Sequence, residues 1–284
     1  MRMHIPRSYL ATTMTVTGGI GLLVYGRIPQ FADYHAFADQ RTVFGLPHAG
    51  DVLSNAGFAF VGGWGMLRFP LWRNATPVSS RPGWLLFLLA LVMTAAGSGF
   101  YHLAPDNARL VWDRLPIALG CAGLLSAVRA ESRPHERAWP YLSALVGAAV
   151  LSVLWWQWTD RVGRDDLRPY LFLQGLPLVL VPVWQAVGGA PRAERIAFAA
   201  AFLLYVAAKL AELGDHSIYG ALGWISGHTI KHLLAIVAAT IIVGQLCRRG
   251  AASPVRGGLE HVAAASHGPS GRGLSSNTDI ASRT

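Results

Sequence analysis

Long apolar segments, each about as long as a lipid bilayer is thick, dominate this sequence. A helix that crosses a bilayer needs about 20 mostly apolar residues, because each residue adds about 1.5 Å of length. Segments that reach or approach this length cover residues 51–69, 84–103, 110–130, 139–158, 170–187, 195–213 and 225–246. The sequence therefore predicts an all-α membrane protein whose core is a bundle of seven transmembrane helices.

Composition agrees with a multi-pass membrane protein. Hydrophobic residues make up 52% of the 284 residues and charged residues only 14%, whereas about 25% of the residues in a soluble domain are charged. The net charge of +9 does not indicate nucleic-acid binding, because the basic residues lie in the loops and in the C-terminal region. The two cysteines, Cys121 and Cys247, form no CxxC pair, so we expect no cysteine ligation of a metal.

An eighth apolar segment, residues 9–28, precedes the seven and allows two interpretations. It is rich in Thr and Gly and follows Arg2 and Arg7, a pattern that a signal peptide also shows. No small-residue cleavage site follows, since residues 29–31 are Pro, Gln and Phe. We therefore expect a retained N-terminal helix.

Arginine distribution orients the predicted helices. With eight helices and the N-terminus inside, the inside segments contain 15 arginines and the outside segments 7, which obeys the positive-inside rule. We expect residues 1–47 to form the N-terminal helix and an outer loop, and residues 48–247 to form the seven-helix core. Residues 248–284, rich in Gly, Ser and Ala, are expected to be a disordered cytoplasmic tail.

Polar side chains inside the apolar segments converge on the predicted outer boundary. His228 and His232 are four residues apart and so share one helix face, as do Ser98 and His102. Asp113 begins another predicted helix at the same level. Further polar residues at this level, which could support the others, are Asp51, Asn55, Glu212 and Asp215. Because ionisable groups are costly in hydrocarbon, their presence suggests a functional site.

The three histidines suggest a catalytic zinc site. Three His ligands with an open fourth position are typical of catalytic zinc. Zinc lowers the pKa of bound water to about 7 and polarises a carbonyl oxygen. Asp113 could take a proton from that water, and Ser98 could donate a hydrogen bond to the developing oxyanion. This chemistry suits hydrolysis of a carbonyl compound, and the location predicts a membrane lipid as the substrate.

Taken singly, each residue has a simpler interpretation. A lone membrane histidine often makes an interhelical hydrogen bond, and Ser98 suits close helix packing. Asp113 could be a charge favoured by the dipole at a helix N-terminus. Asp51 and Asn55 could be caps or simple polar contacts, and Lys209 could pair with a nearby carboxylate.

Four motifs, in this order, resemble the signature of the alkaline ceramidase family, which belongs to the CREST superfamily of seven-helix membrane hydrolases. They are DVLSN at 51–55, SGFYH at 98–102, WDRLP at 112–116 and GHTIKH at 227–232. The resemblance covers about residues 48–246. It implies a zinc ion held by His102, His228 and His232, with Ser98 and Asp113 around the zinc-bound water. The implied reaction cleaves the amide of a ceramide into a sphingoid base and a fatty acid.

The segment DNARLVW at 106–112 looks like that of prokaryotic members of the family. This implies a bacterial cell membrane, with the active site toward the outer leaflet. The acidic, Trp-containing loop that binds calcium in the eukaryotic ceramidases has no counterpart in residues 31–49. The implied partners are the lipid bilayer and a ceramide-like lipid, without nucleic acid, and the oligomeric state is left open.

Other functions fit parts of the same pattern. A hydrolase of a different lipid amide or ester, or of a GPI-like anchor, would use the same groups. A seven-helix receptor resembling the progestin and adipoQ receptors shares the His/Ser/Asp pattern, but those receptors are expected to have the opposite orientation. A retinal protein needs a lysine deep in the last helix, whereas Lys231 lies near its outer end. A metal transporter needs polar residues through the whole depth, whereas the inner halves are apolar.

Overall fold

This computed structural model describes residues 7–251, whose regular elements are helices joined by loops. Eleven α-helices form this part of the chain: α1 (Arg7–Tyr25), α2 (Ala49–Ser54), α3 (Ala56–Leu67), α4 (Phe69–Trp72), α5 (Arg81–Leu103), α6 (Asn107–Ser132), α7 (Ala138–Arg161), α8 (Arg168–Val187), α9 (Arg192–Leu213), α10 (Asp215–Leu222) and α11 (Gly227–Ala251). Two short 3-10 turns, Arg73–Ala75 and Val78–Ser80, join α4 to α5.

Six of the described helices are long and apolar enough to cross a membrane. They are α5 with the turn before it, α6, α7, α8, α9 and α11. Each coincides with one of the predicted segments, so the prediction of a helical, multi-pass membrane protein is confirmed. α1 is apolar but shorter, over Tyr9–Tyr25.

The predicted helix over residues 51–69 is interrupted, because side chains compete for one carbonyl group. Asn55 Nδ2 and Ser54 Oγ both donate to the Asp51 carbonyl oxygen, at 2.7 and 3.1 Å. The Asn55 backbone N–H bonds instead to the carbonyl of Val52. Such local side-chain bonds offer the backbone an alternative to the regular helical pattern, so α2 ends before Asn55 and α3 begins after it. A second boundary, at Arg68, separates α3 from α4.

The ends of the last helices also differ from the prediction. Asp215 and His216 begin the short helix α10, which none of the predicted segments covers. α11 continues to Ala251, so residues 248–251 are helical and not part of a disordered tail. The reason is an ion-pair cluster in the last turn, where Arg249 binds Glu131 and Glu194, both at 2.6 Å. The remainder of the predicted tail, residues 252–284, lies outside the described residues.

The close contact of α5 with α6 positions the polar ends of both helices. α6 lies between α5, α7 and α8, and α11 packs against α9 and α3. At Gly97 a Cβ atom would overlap the carbonyl oxygen of Trp112, so only glycine allows the two backbones this close. Small residues at helix interfaces allow such approaches in membrane proteins. Ser98 on α5 and Asp113 on α6 are the next residues along each helix.

A loop of residues 26–48 folds over the same end of the bundle. His35 bonds to the Tyr101 hydroxyl at 2.9 Å and to Asn107 Oδ1 at 2.8 Å. Farther along, Arg41 forms an ion pair with Asp39 at 2.6 Å. The hydrogen bond from Arg41 holds the pKa of the Asp39 carboxyl below its ordinary value. The loop is therefore tied to the helix ends where the predicted site residues lie.

Candidate metal centre

His102, His228 and His232 meet in the interior of the bundle. Their ring centroids are 4.8 Å apart for His102 and His228, 5.2 Å for His102 and His232, and 4.9 Å for His228 and His232. One nitrogen of each ring lies within 4.8 Å of the others, and all three side chains are buried. The pair from α11 and the single histidine from α5 thus form one cluster of imidazoles.

The environment of His102 fits a metal ion. Both of its ring nitrogens are buried and have no hydrogen-bond partner among the described residues. A buried polar group without a partner carries a desolvation penalty of about 1–3 kcal/mol. A cation bound by the three rings would relieve that penalty, and imidazole nitrogen is a common metal donor. The cluster can therefore hold a metal ion.

Ser54 orients the ring of His232. Its hydroxyl lies 2.8 Å from His232 Nδ1, which leaves Nε2 of that ring free to bind a metal. A ligating histidine usually has such a partner on its other nitrogen, because the second bond fixes the tautomer and the ring orientation. Sequence patterns did not reveal this role, since Ser54 and His232 are 178 residues apart.

Asp51 and Asn55, predicted as supporting residues, hold α2 against the start of α11. Asp51 is fully buried, and its Oδ1 accepts from Thr229 at 2.6 Å and from Ser226 at 3.2 Å. The Ser226 hydroxyl also accepts from the Thr229 N–H at 2.9 Å, as an N-cap serine does. Asn55 does not reach the histidines but bonds to the Asp51 backbone. These contacts fix the turn of α11 that carries the two histidines.

The other two predicted supporting residues make different contacts: Asp215 bonds to backbone N–H groups, and Glu212 pairs with two lysines. Asp215 accepts from the backbone N–H of His228 at 2.7 Å and of Ala38 at 2.9 Å. Glu212 binds Lys209 at 2.8 Å and Lys231 at 2.5 Å. Lys231 Nζ in turn lies 3.3 Å from His228 Nε2. One carboxylate thus holds two ammonium groups beside the cluster.

A cavity of about 920 Å³ opens beside the histidines. Ser98 and Asp113 both line it, together with His228 and His232, and both are buried. Asp113 lies two turns inside α6, whose N-cap is Asp106, so it is not a charge at the helix end. The structure thus brings together the five residues that the sequence predicted for the site: Ser98, His102, Asp113, His228 and His232.

Beyond the polar end, the cavity is lined by apolar side chains. It continues between α5, α6 and α11 past Phe87, Leu91, Leu124 and Ile242. From Ser98 to Phe87 the distance along α5 is about 16 Å. The shape is that of a polar head region joined to an apolar channel.

Phe37, from the loop over the helix ends, covers the histidines. Its ring centroid lies 4.7 Å from that of His102 and 4.5 Å from that of His228, and it is 4% exposed. An apolar shell of this kind limits the access of solvent to a metal site. The sequence showed no sign of this contact, because a phenylalanine in a loop has no periodic pattern.

Comparisons with protein-family models, with curated proteins and with solved structures give no significant match to this chain.

Proposed function

We propose that this chain is an integral membrane hydrolase that cleaves a lipid amide, with zinc held by His102, His228 and His232. One observation carries the proposal: three buried imidazoles form one cluster, and two of them, His228 and His232, line a cavity that becomes apolar away from them. Three imidazoles suit zinc and leave room for water and a substrate group. The apolar channel suits an acyl chain.

The roles of the other groups follow from their places on the cavity wall. Zinc held by His102, His228 and His232 would supply a nucleophile from water at neutral pH and would polarise a carbonyl oxygen. Asp113 presents a carboxylate that accepts a proton and passes it to a leaving amine. The Ser98 hydroxyl donates to the oxygen that becomes negative. Phe37 and the surrounding helices exclude bulk water, which strengthens each of these interactions.

The similarity of the motifs to the alkaline ceramidase family favours a ceramide-like amide as the substrate. In this proposal α2, α3 and α4 together form the first of seven core spans, and α1 is an additional N-terminal span. The site then lies toward the outer leaflet of a bacterial cell membrane. A hydrolase of another lipid amide or an ester would use the same groups.

Lipid hydrolysis by the purified protein tests the proposal. The protein in detergent is incubated with ceramide, other acyl amides and matched esters, with and without a zinc chelator. We expect release of fatty acid from at least one amide, abolished by the chelator and restored by added zinc. Release of fatty acid from esters alone would show that the protein cleaves an ester bond and not an amide bond. Cleavage that is insensitive to the chelator, or no cleavage of any lipid, would contradict the proposal.

A further inference from the structure

Arg114 is a buried cation without a matching anion. Its side chain is only 3% exposed, and it lines the cavity beside Asp113. In residues 7–251 it forms no ion pair, and its Nε and Nη1 atoms are buried without a hydrogen-bond partner. A buried charge that lacks a partner is strongly unfavourable. The mechanism proposed above does not use this group.

Neutral side chains hold the guanidinium in place. Its Cζ atom lies 3.9 Å from the centre of the Trp156 ring, 5.5 Å from that of Tyr170 and 5.2 Å from that of Tyr34. Gln30 Oε1 accepts from Nη2 at 2.7 Å. Aromatic faces attract a cation but only weakly, and an amide oxygen carries no charge. The group is therefore oriented by its neighbours but not neutralised by them.

Two of the nearby carboxylates already bind other groups. Glu212 is shared by two lysines, and Asp215 accepts from two backbone N–H groups. Asp113 precedes Arg114 directly, and consecutive residues on a helix do not face each other. Asp33 also lines the cavity, but it is exposed and forms no ion pair with Arg114. Among the described residues no carboxylate therefore pairs with the guanidinium, and an anion that enters the cavity would supply the opposite charge.

We propose that the ligand of this cavity carries an acidic oxygen group, a carboxylate or a phosphate, which binds Arg114. An arginine fork suits both groups, because its parallel N–H donors match two oxygens of one anion. For the substrate, this narrows the class from lipid amides in general to lipid amides that carry an acidic group, and in that respect it rests on the proposed function. As a statement about binding it does not require hydrolysis.

Binding of matched charged and neutral lipids tests the inference. The purified full chain, in a non-ionic detergent, is titrated with N-dodecanoylglycine, with its uncharged amide N-dodecanoylglycinamide and with dodecyl phosphate. The same titrations are made on Arg114→Gln and Arg114→Lys, and on Arg109→Gln as the control. Arg109 is on the same helix but is ion-paired with Asp106 and does not line the cavity.

We expect the wild-type chain and Arg109→Gln to bind at least one of the two acidic lipids about tenfold or more tightly than the neutral amide. In Arg114→Gln this ratio should fall to about one, and in Arg114→Lys to an intermediate value, because lysine keeps the charge but loses the fork. Preference for the carboxylate or for the phosphate identifies the headgroup. An equal affinity of the wild-type chain for charged and neutral lipids would overturn the inference.

Three further outcomes complete the test. An acid group could bind a metal at the histidines instead, so each titration is repeated after chelator treatment. A preference that vanishes with the metal but persists in Arg114→Gln would overturn the inference and leave the proposed hydrolase intact. If Arg114→Gln does not fold, a wild-type ratio in Arg114→Lys would count against the inference. Arg114→Gln could lose the preference for acidic lipids and still cleave neutral amides at the wild-type rate. That result would support binding of an acidic group by Arg114 and would show that this binding is not needed for hydrolysis.

Discussion

The surroundings of His102 give the most direct indication of a metal site. Neither of its ring nitrogens has a hydrogen-bond partner among the described residues, and one of them lies within 4.8 Å of a nitrogen of each of the two other imidazoles. We expect the purified protein to contain about one zinc per chain, measured by elemental analysis. His102→Ala, His228→Ala and His232→Ala should each lose most of it, whereas the exposed His135→Ala should keep it. Full zinc in His228→Ala/His232→Ala would refute the assignment.

Ser98 and Asp113 line the cavity without being needed to hold the metal. We expect Ser98→Ala and Asp113→Asn to fold and to keep their zinc, while turnover falls by about 10²–10³ for Ser98 and about 10²–10⁴ for Asp113. Zinc content, melting temperature and amide hydrolysis are measured on the same samples. Normal turnover in Asp113→Asn would remove this residue from the mechanism.

Site residues could be predicted where the signal lay in a short stretch of sequence, and not where it depended on tertiary contacts. The spacing of four residues in 98–102 and 228–232 placed each pair on one face, and the shared depth placed the pairs at one level. Ser54, Phe37 and Arg114 gave no comparable signal, because each contacts the site only through the tertiary fold. Arg114 in particular looks like an ordinary interfacial arginine until its lack of a counter-ion is known.

Among the elements, the α5–α6 pair is the most sensitive to added volume. We expect Gly97→Ala to lower the free energy of unfolding by about 1–3 kcal/mol, since its new methyl group would overlap the backbone at Trp112. Gly99, on the same helix, has open space at its Cβ position. Gly99→Ala should be neutral or stabilising by up to about 1 kcal/mol, because alanine favours helix. Thermal unfolding in detergent compares the two, and equal stability would contradict the packing argument.

The long helices followed from apolar length alone, but their interruptions did not. The break at Asn55 arises because side chains capture the Asp51 carbonyl, a competition that hydropathy does not measure. α10 has eight residues, too few for a periodic pattern to be distinct. The extension of α11 to Ala251 depends on acids from two other helices.

For the molecule as a whole, the orientation in the membrane separates a hydrolase from a receptor. Arg249 meets Glu131 at the end of α6 and Glu194 at the start of α9, so the end of α11 shares a face with two of the arginine-rich loops. We expect this face, and both termini, to be cytoplasmic. Reporter fusions after Thr284 should therefore be active inside the cell. A reporter that is active only outside would favour the orientation expected of the receptors.

The same ion-pair cluster anchors α11 against sliding along its axis. About 32 Å of helix separates Arg249 from His228, and the Trp84 indole also binds Glu131 at 2.7 Å. Sliding of α11 along its axis would break both ion pairs of this partly buried cluster. The ion pairs at the opposite end of α11 thus fix the position of His228 and His232 along the helix axis. If the proposed function is right, a lipid substrate has to move to the histidines, because α11 is held in place.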